Sequence, residues 1–310
     1  MHSSTLLWAS IHPAWGVGPD EAMDTMPAPA TFDLDAWVSR SGALDLEAVP
    51  WEDVARYPLA SDAVRALRYM QDIESHTIIY LRSLLATRAI DDPEVATFLA
   101  CWLQEETFHG LALARFLEAA GYRVDPRPQG RSREPLLKRL ESAATALLSR
   151  AWPDFCAVHM TWGAINELTT LTGYRRLADV AGHPVLSGLL RRITVDESRH
   201  FFFYYRQADI RLRRPGAARV ARLLVDRFWA PVGSGVQPRE EIAFLAGYLF
   251  GGDEGRAAAR KVDDTIRRLP GFASVQLLEA WIHNEASRHG RAGHRAPASL
   301  QGDRHDHRDH

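Results

Sequence analysis

The stretch CWLQEETFHGLAL, Cys101 to Leu113, places Glu106 three residues before His109 in a run that otherwise reads as buried helix. Charged side chains are rarely fully buried unless they are paired or bound to metal. A spacing of three residues puts both side chains on one face of a helix, near enough to hold one metal ion. The stretch therefore predicts a helix with a metal-binding face.

The same pattern recurs in VDESRH, which contains Glu197 and His200. Two other segments each place a single glutamate in a mostly apolar run: Glu74 in MQDIESHTIIYL and Glu167 in WGAINELTTLTGY. The order along the chain is therefore Glu, Glu-x-x-His, Glu, Glu-x-x-His. This is the ligand arrangement of ferritin-like di-iron carboxylate bundles.

The charges of these residues also favour a pair of metal ions. The glutamates would carry four negative charges, which two divalent ions cancel, and the histidines are neutral as ligands. Without metal, the carboxylates would converge in a low dielectric at a high cost, unless they bound protons. A single Glu-x-x-His would more often be a solvated helix face, but the repeated pattern favours the metal site. We predict that one ion is held mainly by Glu74, Glu106 and His109 and the other mainly by Glu167, Glu197 and His200, with two of the glutamates bridging.

Helix signals dominate the chain and strand signals are scarce, which predicts an all-α, ferritin-like four-helix bundle with additional helices. Four long helices are expected at about 61–88, 92–121, 152–182 and 183–213, with shorter ones at 134–150, 216–229, 238–250, 253–268 and 271–286. Residues 1–30 are expected to form a disordered N-terminal segment, 31–286 the helical domain, and 287–310 a disordered, His-rich tail.

Composition excludes several classes of protein. The chain has 310 residues, of which 46% are hydrophobic and 25% charged, and a net charge of −2, which gives no overall attraction to nucleic acid. Cys101 and Cys156 form no CxxC pair, so a disulfide framework, a zinc ribbon and an internal iron–sulfur cluster are excluded. No apolar run approaches the ~20 residues that span a bilayer, and the first residues do not resemble a signal peptide. A cytoplasmic location is expected.

A second acid precedes each Glu-x-x-His glutamate: Glu105 in one helix and Asp196 in the other. Both point away from the metal-facing side. They are either surface charges or hydrogen-bond acceptors that orient the imidazole of a metal ligand.

At these positions the chain resembles the soluble acyl-carrier-protein desaturases, over about residues 45–210. EETFHG, DESRHF and NELTT are similar to that family's motifs. The resemblance implies O2-dependent introduction of a double bond into a carrier-bound fatty acyl chain, with two iron ions (manganese being possible) and a homodimer. It also implies that Thr170 handles protons on bound dioxygen and that Trp51 lies on an electron path. The alternatives are a helix-packing hydroxyl for Thr170 and a core anchor for Trp51.

Two partners are expected. The reaction needs two external electrons, and the sequence has no GxGxxG loop or cluster cysteines, so the electrons should come from a ferredoxin-like protein. The stretch RLRRPGAARVARLLVDR, Arg211 to Arg227, is strongly basic. It is either a solvated helix face or a docking site for an acidic acyl carrier protein, with possible contacts at Arg199, Arg211, Arg213 and Arg214.

Two other functions remain open on the same ligands. One is a di-iron hydroxylase or oxygenase of a specialised biosynthetic pathway. The other is a non-catalytic, ferroxidase-like metal-binding protein.

Overall fold

The computed structural model describes residues 32–124, 152, 154–234 and 237–293. Within these ranges all regular secondary structure is helical, which confirms the predicted all-α fold. The predicted disordered segment 1–30, the predicted helix at 134–150 and most of the predicted tail lie outside the described residues.

The core of the fold is formed by four long helices. A short helix, α1 (Leu34–Val38), and a 3-10 turn (Trp51–Arg56) precede them. The long helices are α2 (Ser61–Leu85), α3 (Pro93–Ala119), α4 (Phe155–Val180) and α5 (Pro184–Leu212), close to the predicted ranges.

Local capping explains where two of these helices begin. The Asp92 side chain accepts hydrogen bonds from the first amides of α3, and the His183 ring accepts one from Leu186 at the start of α5. Each helix has a proline, Pro93 or Pro184, as its first residue, where the missing N–H costs nothing.

The long helices form two pairs, α2 with α3 and α4 with α5. The link between α2 and α3 and the link between α4 and α5 are both short, so the members of each pair run antiparallel. Contacts between α3 and α5 and between α2 and α4 join the two pairs. The polar side chains that face the interior lie between these pairs.

Four further helices follow: α6 (Ala217–Phe228), α7 (Arg239–Phe250), α8 (Gly252–Arg267) and α9 (Leu278–Gly293). The first three pack against α4. The last is predicted at 271–286 but begins seven residues later, at Leu278. Its first amides are capped by the buried Asp263 carboxylate of α8, which accepts from Leu277 and Leu278. A cap from a different helix leaves no local sequence signal.

Among the described residues, no helix combines the length and the apolar character needed to cross a membrane.

Candidate metal centre

Six buried side chains, one or two from each long helix, meet in the centre of the bundle. They form two groups, in each of which the possible ligand atoms lie within 4.8 Å of one another. The first contains Glu74, Glu106, His109 and Glu197, and the second contains Glu106, Glu167, Glu197 and His200. Glu106 and Glu197 belong to both groups, so the arrangement offers two adjacent ion sites that share two carboxylates.

The two shared glutamates face both histidines. Glu106 lies with Oε1 3.1 Å from Nδ1 of His200 and Oε2 3.5 Å from Nδ1 of His109. Glu197 lies with Oε1 3.2 Å from Nδ1 of His109 and Oε2 3.9 Å from Nδ1 of His200. One oxygen of each carboxylate is therefore directed to each ion site, as a bridging ligand requires.

The outer nitrogen of each histidine is held by an acid from the opposite helix. Nε2 of His109 lies 3.1 Å from Oδ2 of Asp196, and Nε2 of His200 lies 2.7 Å from Oε2 of Glu105. A carboxylate in this place fixes the tautomer, because Nε2 donates and Nδ1 keeps its lone pair for a metal. Asp196 and Glu105 thus take the same position on the two sides of the cluster.

Arg199 joins these two outer acids. Its guanidinium contacts Asp196 and lies 3.5 Å from Oε1 of Glu105. The burial of Asp196 would raise the pKa of its carboxyl, but the hydrogen bond with His109 and the charge of Arg199 outweigh burial and lower it. The acid therefore stays ionised as an acceptor for the imidazole.

The four inner glutamates do not share one protonation state in the absence of metal. Burial, together with the charge of Glu106, raises the pKa of Glu74 and of Glu167 well above the usual range, and also raises that of Glu197. Burial also acts to raise the pKa of Glu106, but the neighbouring Glu74 and the two histidines lower it well below the usual range. The metal-free cluster therefore holds protons that a cation would displace.

The pKa values of the two histidines are also shifted by burial and by their neighbours. Burial acts to lower their pKa, but hydrogen bonds with the surrounding carboxylates raise the pKa of both His109 and His200 well above the ordinary value. A cationic imidazole in this position neutralises part of the negative charge. In the metal-free cluster, protons thus supply positive charge that bound metal ions would otherwise supply.

The donor set fits a pair of metal ions. Nδ1 of His109, Nδ1 of His200 and both oxygens of Glu197 are buried and have no hydrogen-bond partner among the described residues. Buried polar atoms are rarely left unpaired. Carboxylate and imidazole ligands suit iron, manganese and zinc alike. The cluster is consistent with a di-iron site, and its ligand types do not by themselves select iron.

Two aromatic side chains donate hydrogen bonds to Glu74 and Glu167, the glutamates that belong to only one of the two ion sites. The Tyr174 hydroxyl donates to Oε1 of Glu74, and Nε1 of Trp102 donates to Oε1 of Glu167 over 3.0 Å. Both aromatic residues are buried. Sequence reasoning missed them, although Trp102 lies four residues before Glu106 and Tyr174 seven after Glu167, spacings that share a helix face.

A mostly apolar cavity reaches the cluster from the side of α2, α4 and α7. Its volume is about 60 Å³. Its lining includes Glu74, Thr170 and Tyr174, together with Met70, Gly173, Leu245 and Leu249. The predicted Thr170 thus lines the same cavity as the candidate ligand Glu74.

A second, polar cleft lies against α3 and α5. It is lined by Glu105, Asp196 and Arg199, and by Arg40 and Arg192 nearer the surface. It shares no lining residue with the apolar cavity. The sequence-predicted Arg199 therefore belongs to the side of the cluster where the outer acids lie.

Trp37 of α1 is the tryptophan whose ring contacts that of a candidate histidine ligand in the described part of the chain. Its ring contacts that of His200 edge-on, with centroids 6.4 Å apart, and stacks on Phe98. Trp51, for which the family resemblance implied an electron path, lies under the guanidinium of Arg115, 4.2 Å from its ring centre. It makes no ring contact with either histidine in the described part of the chain. No sequence signal identified Trp37, because it lies outside the long helices.

The predicted basic contacts differ in exposure. Arg211 is buried and hydrogen-bonded to Gln207 and Asp92. The guanidinium groups of Arg213 and Arg214 are exposed and pair with Asp209 and Asp154. Of these three arginines, Arg213 and Arg214 are accessible to a partner.

Residues 78–221 match the model of the family described as "Fatty acid desaturase". The match supports a fatty acid desaturase family. The matched segment contains every candidate ligand except Glu74, which lies four residues before it. Desaturases are oxidoreductases, which agrees with the enzyme class predicted from the sequence. No match was found among the curated proteins.

Proposed function

We propose that this protein is an O2-dependent di-iron desaturase that introduces a double bond into a fatty acyl chain bound to a carrier protein. The observation that carries the proposal is the meeting of two features: a cluster of six side chains suited to two ions, and an apolar cavity whose lining includes Glu74 of that cluster. The desaturase family match supports the same reaction class.

The reaction balances with one external electron pair. Two hydrogens leave adjacent carbons of the acyl chain, and these, with two electrons and two protons, reduce O2 to two molecules of water. When bound, the two ions would supply the activation of O2. Glu74, Glu106 and His109 would hold one ion and Glu167, Glu197 and His200 the other, with Glu106 and Glu197 between them.

The remaining tasks fall to the side chains around the cluster. The apolar walls of the cavity would bind the acyl chain and exclude water, which protects a reactive centre from side reactions. Thr170 would exchange protons from the cavity wall. Thr169 and Thr172 donate to backbone carbonyls one turn earlier, and Thr170 makes no such bond in the described part of the chain.

A surface near the cavity supports an acidic carrier protein as the partner. Helix α6 is amphipathic, and its outer face exposes Arg219, Leu223, Arg227 and Phe228. A few residues after α6 ends, Pro231 and Val232 form part of the cavity wall. We assign the carrier to this mixed basic and apolar surface, because charge complementarity would orient it beside the cavity.

The electron donor would approach from the other side. The polar cleft leads from the surface to Glu105 and Asp196, the acids that hold the outer nitrogen of each histidine. Its arginines suit a small acidic protein of the ferredoxin type. Separate approaches would let donor and carrier bind at the same time. By the family resemblance, the active unit would be a cytoplasmic homodimer.

The test is mass spectrometry of carrier-bound acyl chains after aerobic turnover with a reduced ferredoxin and 18O2. A product that has lost two hydrogens and gained no labelled oxygen is expected. A product carrying one labelled oxygen would contradict the proposal and indicate a hydroxylase. Oxidation of Fe(II) without change in any acyl chain would indicate a ferroxidase-like protein. Glu197→Ala is the inactive control, and Glu118→Ala, an exposed glutamate on α3, is the active one.

A further inference from the structure

The apolar cavity is small for the substrate that the proposed function requires. Its volume is about 60 Å³, whereas an engineered protein cavity of about 150 Å³ binds one benzene molecule. A fatty acyl chain has more carbon atoms than benzene. Part of the cavity wall must therefore move outward before such a chain can bind.

The wall consists of helical parts and one segment without helical structure, residues 230–233, which we call the wall segment. The helices α2 and α4 carry the candidate ligands Glu74 and Glu167, so a shift of either would pull the cluster apart. Helix α7 packs against α2, α4, α8 and α9. The wall segment is thus the part of the wall whose movement disturbs the fold least.

Tyr69 of α2 holds the wall segment against the bundle. Its ring is buried and lines the cavity, and its hydroxyl donates to the backbone oxygen of Val232 over 2.7 Å. Gly233 passes directly over this hydroxyl, with a φ of +92°, and a Cβ built on it would lie 2.0 Å from the hydroxyl oxygen. The glycine therefore permits both the left-handed turn and the close approach to Tyr69.

The wall segment also follows the surface to which the proposed function assigns the carrier protein. Helix α6 ends at Phe228, and the wall segment begins two residues later. Pro231 and Val232 then form part of the cavity lining. The segment thus connects the proposed docking surface to the cavity along the chain.

We propose that the wall segment is the movable wall of the acyl cavity and that Tyr69 is the positioning residue that holds it closed. This inference rests on the proposed function. A ligand that binds only the open form has an apparent affinity reduced by the fraction of open molecules. Loss of the Tyr69 hydroxyl should therefore improve substrate binding, whereas loss of a substrate contact would weaken it.

The chain offers a matched control and a second variant. The Tyr205 hydroxyl donates to the backbone oxygen of Thr265 over 3.4 Å, and Tyr205 is not among the residues that line the cavity. Tyr205→Phe therefore removes the same type of hydrogen bond elsewhere. Gly233→Ala leaves Tyr69 unchanged but pushes the wall segment away from it, so it should act in the same direction as Tyr69→Phe.

The first measurement is hydrogen–deuterium exchange of the full chain at the amides of Val232, Gly233 and Ser234. Exchange should be about fivefold faster in Tyr69→Phe than in the parent, because one hydrogen bond no longer favours the closed form. The second measurement is KM for a palmitoyl-loaded carrier protein, which should fall by about fivefold. Tyr205→Phe should match the parent in both.

Two results would overturn the inference: exchange in Tyr69→Phe at the parent rate, or a KM equal to or above that of the parent. If Tyr69→Phe does not fold, the same comparisons with Gly233→Ala decide. A parent that leaves every acyl chain unchanged would overturn the proposed function. The exchange measurement needs no turnover, so the two failures are distinct.

Discussion

Nε2 of His200, on α5, lies 2.7 Å from Oε2 of Glu105, on α3. The pair mirrors His109 and Asp196, so each histidine is oriented by an acid from the helix that carries the other. The charge, the tautomer and the ring angle of both imidazoles are therefore fixed by cross-helix contacts. This relationship turns a set of buried ligands into a preorganised site.

Glu105→Ala should weaken metal binding by about 10- to 100-fold, because His200 would lose the acceptor that fixes its tautomer and orientation. Equilibrium dialysis with Mn(II) measures the effect. Gln104→Ala, an exposed neighbour on the same helix, is the control and should bind like the parent. An unchanged affinity of Glu105→Ala for Mn(II) would show that Glu105 does not orient His200 for metal binding.

Metal affinity should rise with pH, by about tenfold or more per unit between roughly pH 6 and pH 8, because binding displaces protons. The raised pKa values of Glu74, Glu167, His109 and His200 mean that the metal-free cluster keeps protons at pH values above the ordinary pKa of these groups. Dialysis at a series of pH values gives the slope. An affinity independent of pH would contradict this protonation pattern.

The same linkage predicts opposite behaviour for the metal-free protein. A group whose pKa is raised on folding contributes stability below its unfolded value, and that stability is lost as pH rises through the folded value. Since folding raises the pKa of His109 and of His200 above 6.5, the Tm of the metal-free protein should fall from neutral to alkaline pH. Calorimetry with and without Mn(II) should show a difference in Tm that widens with pH, and a constant difference would count against it.

Gly173→Leu should lower acyl turnover by about a hundredfold without loss of bound metal, because the new side chain would project into the cavity. A Cβ at this position already meets Cε of Met70 at 3.4 Å and Cδ1 of Leu249 at 3.5 Å. Gly188→Leu, at a more open helical position, controls for the effect of replacing a helical glycine. Full turnover in Gly173→Leu would show that the acyl chain binds elsewhere.

Arg219→Glu combined with Arg227→Glu should raise KM for the carrier-bound substrate by about tenfold with kcat little changed, because the charges steer and hold the partner. The difference from the parent should shrink at high salt. Arg256→Glu, on the exposed start of α8, is the control. Equal KM values for the parent and the double variant would show that the carrier protein does not bind at α6.

The sequence was sufficient for the long helices and for the residues that meet between them. Helical spacing places Glu106 with His109 and Glu197 with His200 on common faces, and proline with a capping side chain marks where α3 and α5 begin. Such signals are local, and so they can be read without a structure. They predicted an all-α bundle with an acidic, histidine-containing centre.

The contacts that tune the site could not be predicted in this way. Which oxygen of Glu74 meets Tyr174, and that Trp37 rather than Trp51 reaches a histidine ring, depend on how separate helices pack. The start of α9 has the same cause, since its cap is Asp263 of another helix. Periodicity gives the face of a helix but not the neighbour that covers it.

The most direct measurement is the iron content of the chain after anaerobic loading with Fe(II) and removal of unbound metal. The parent and Glu118→Ala should each retain two ions per chain, and Glu106→Ala and His200→Ala about one or fewer, because Glu106 bridges both sites and His200 completes one of them. A parent that retains no iron, or a Glu106→Ala protein that retains both ions, would contradict a shared di-metal centre at these six side chains.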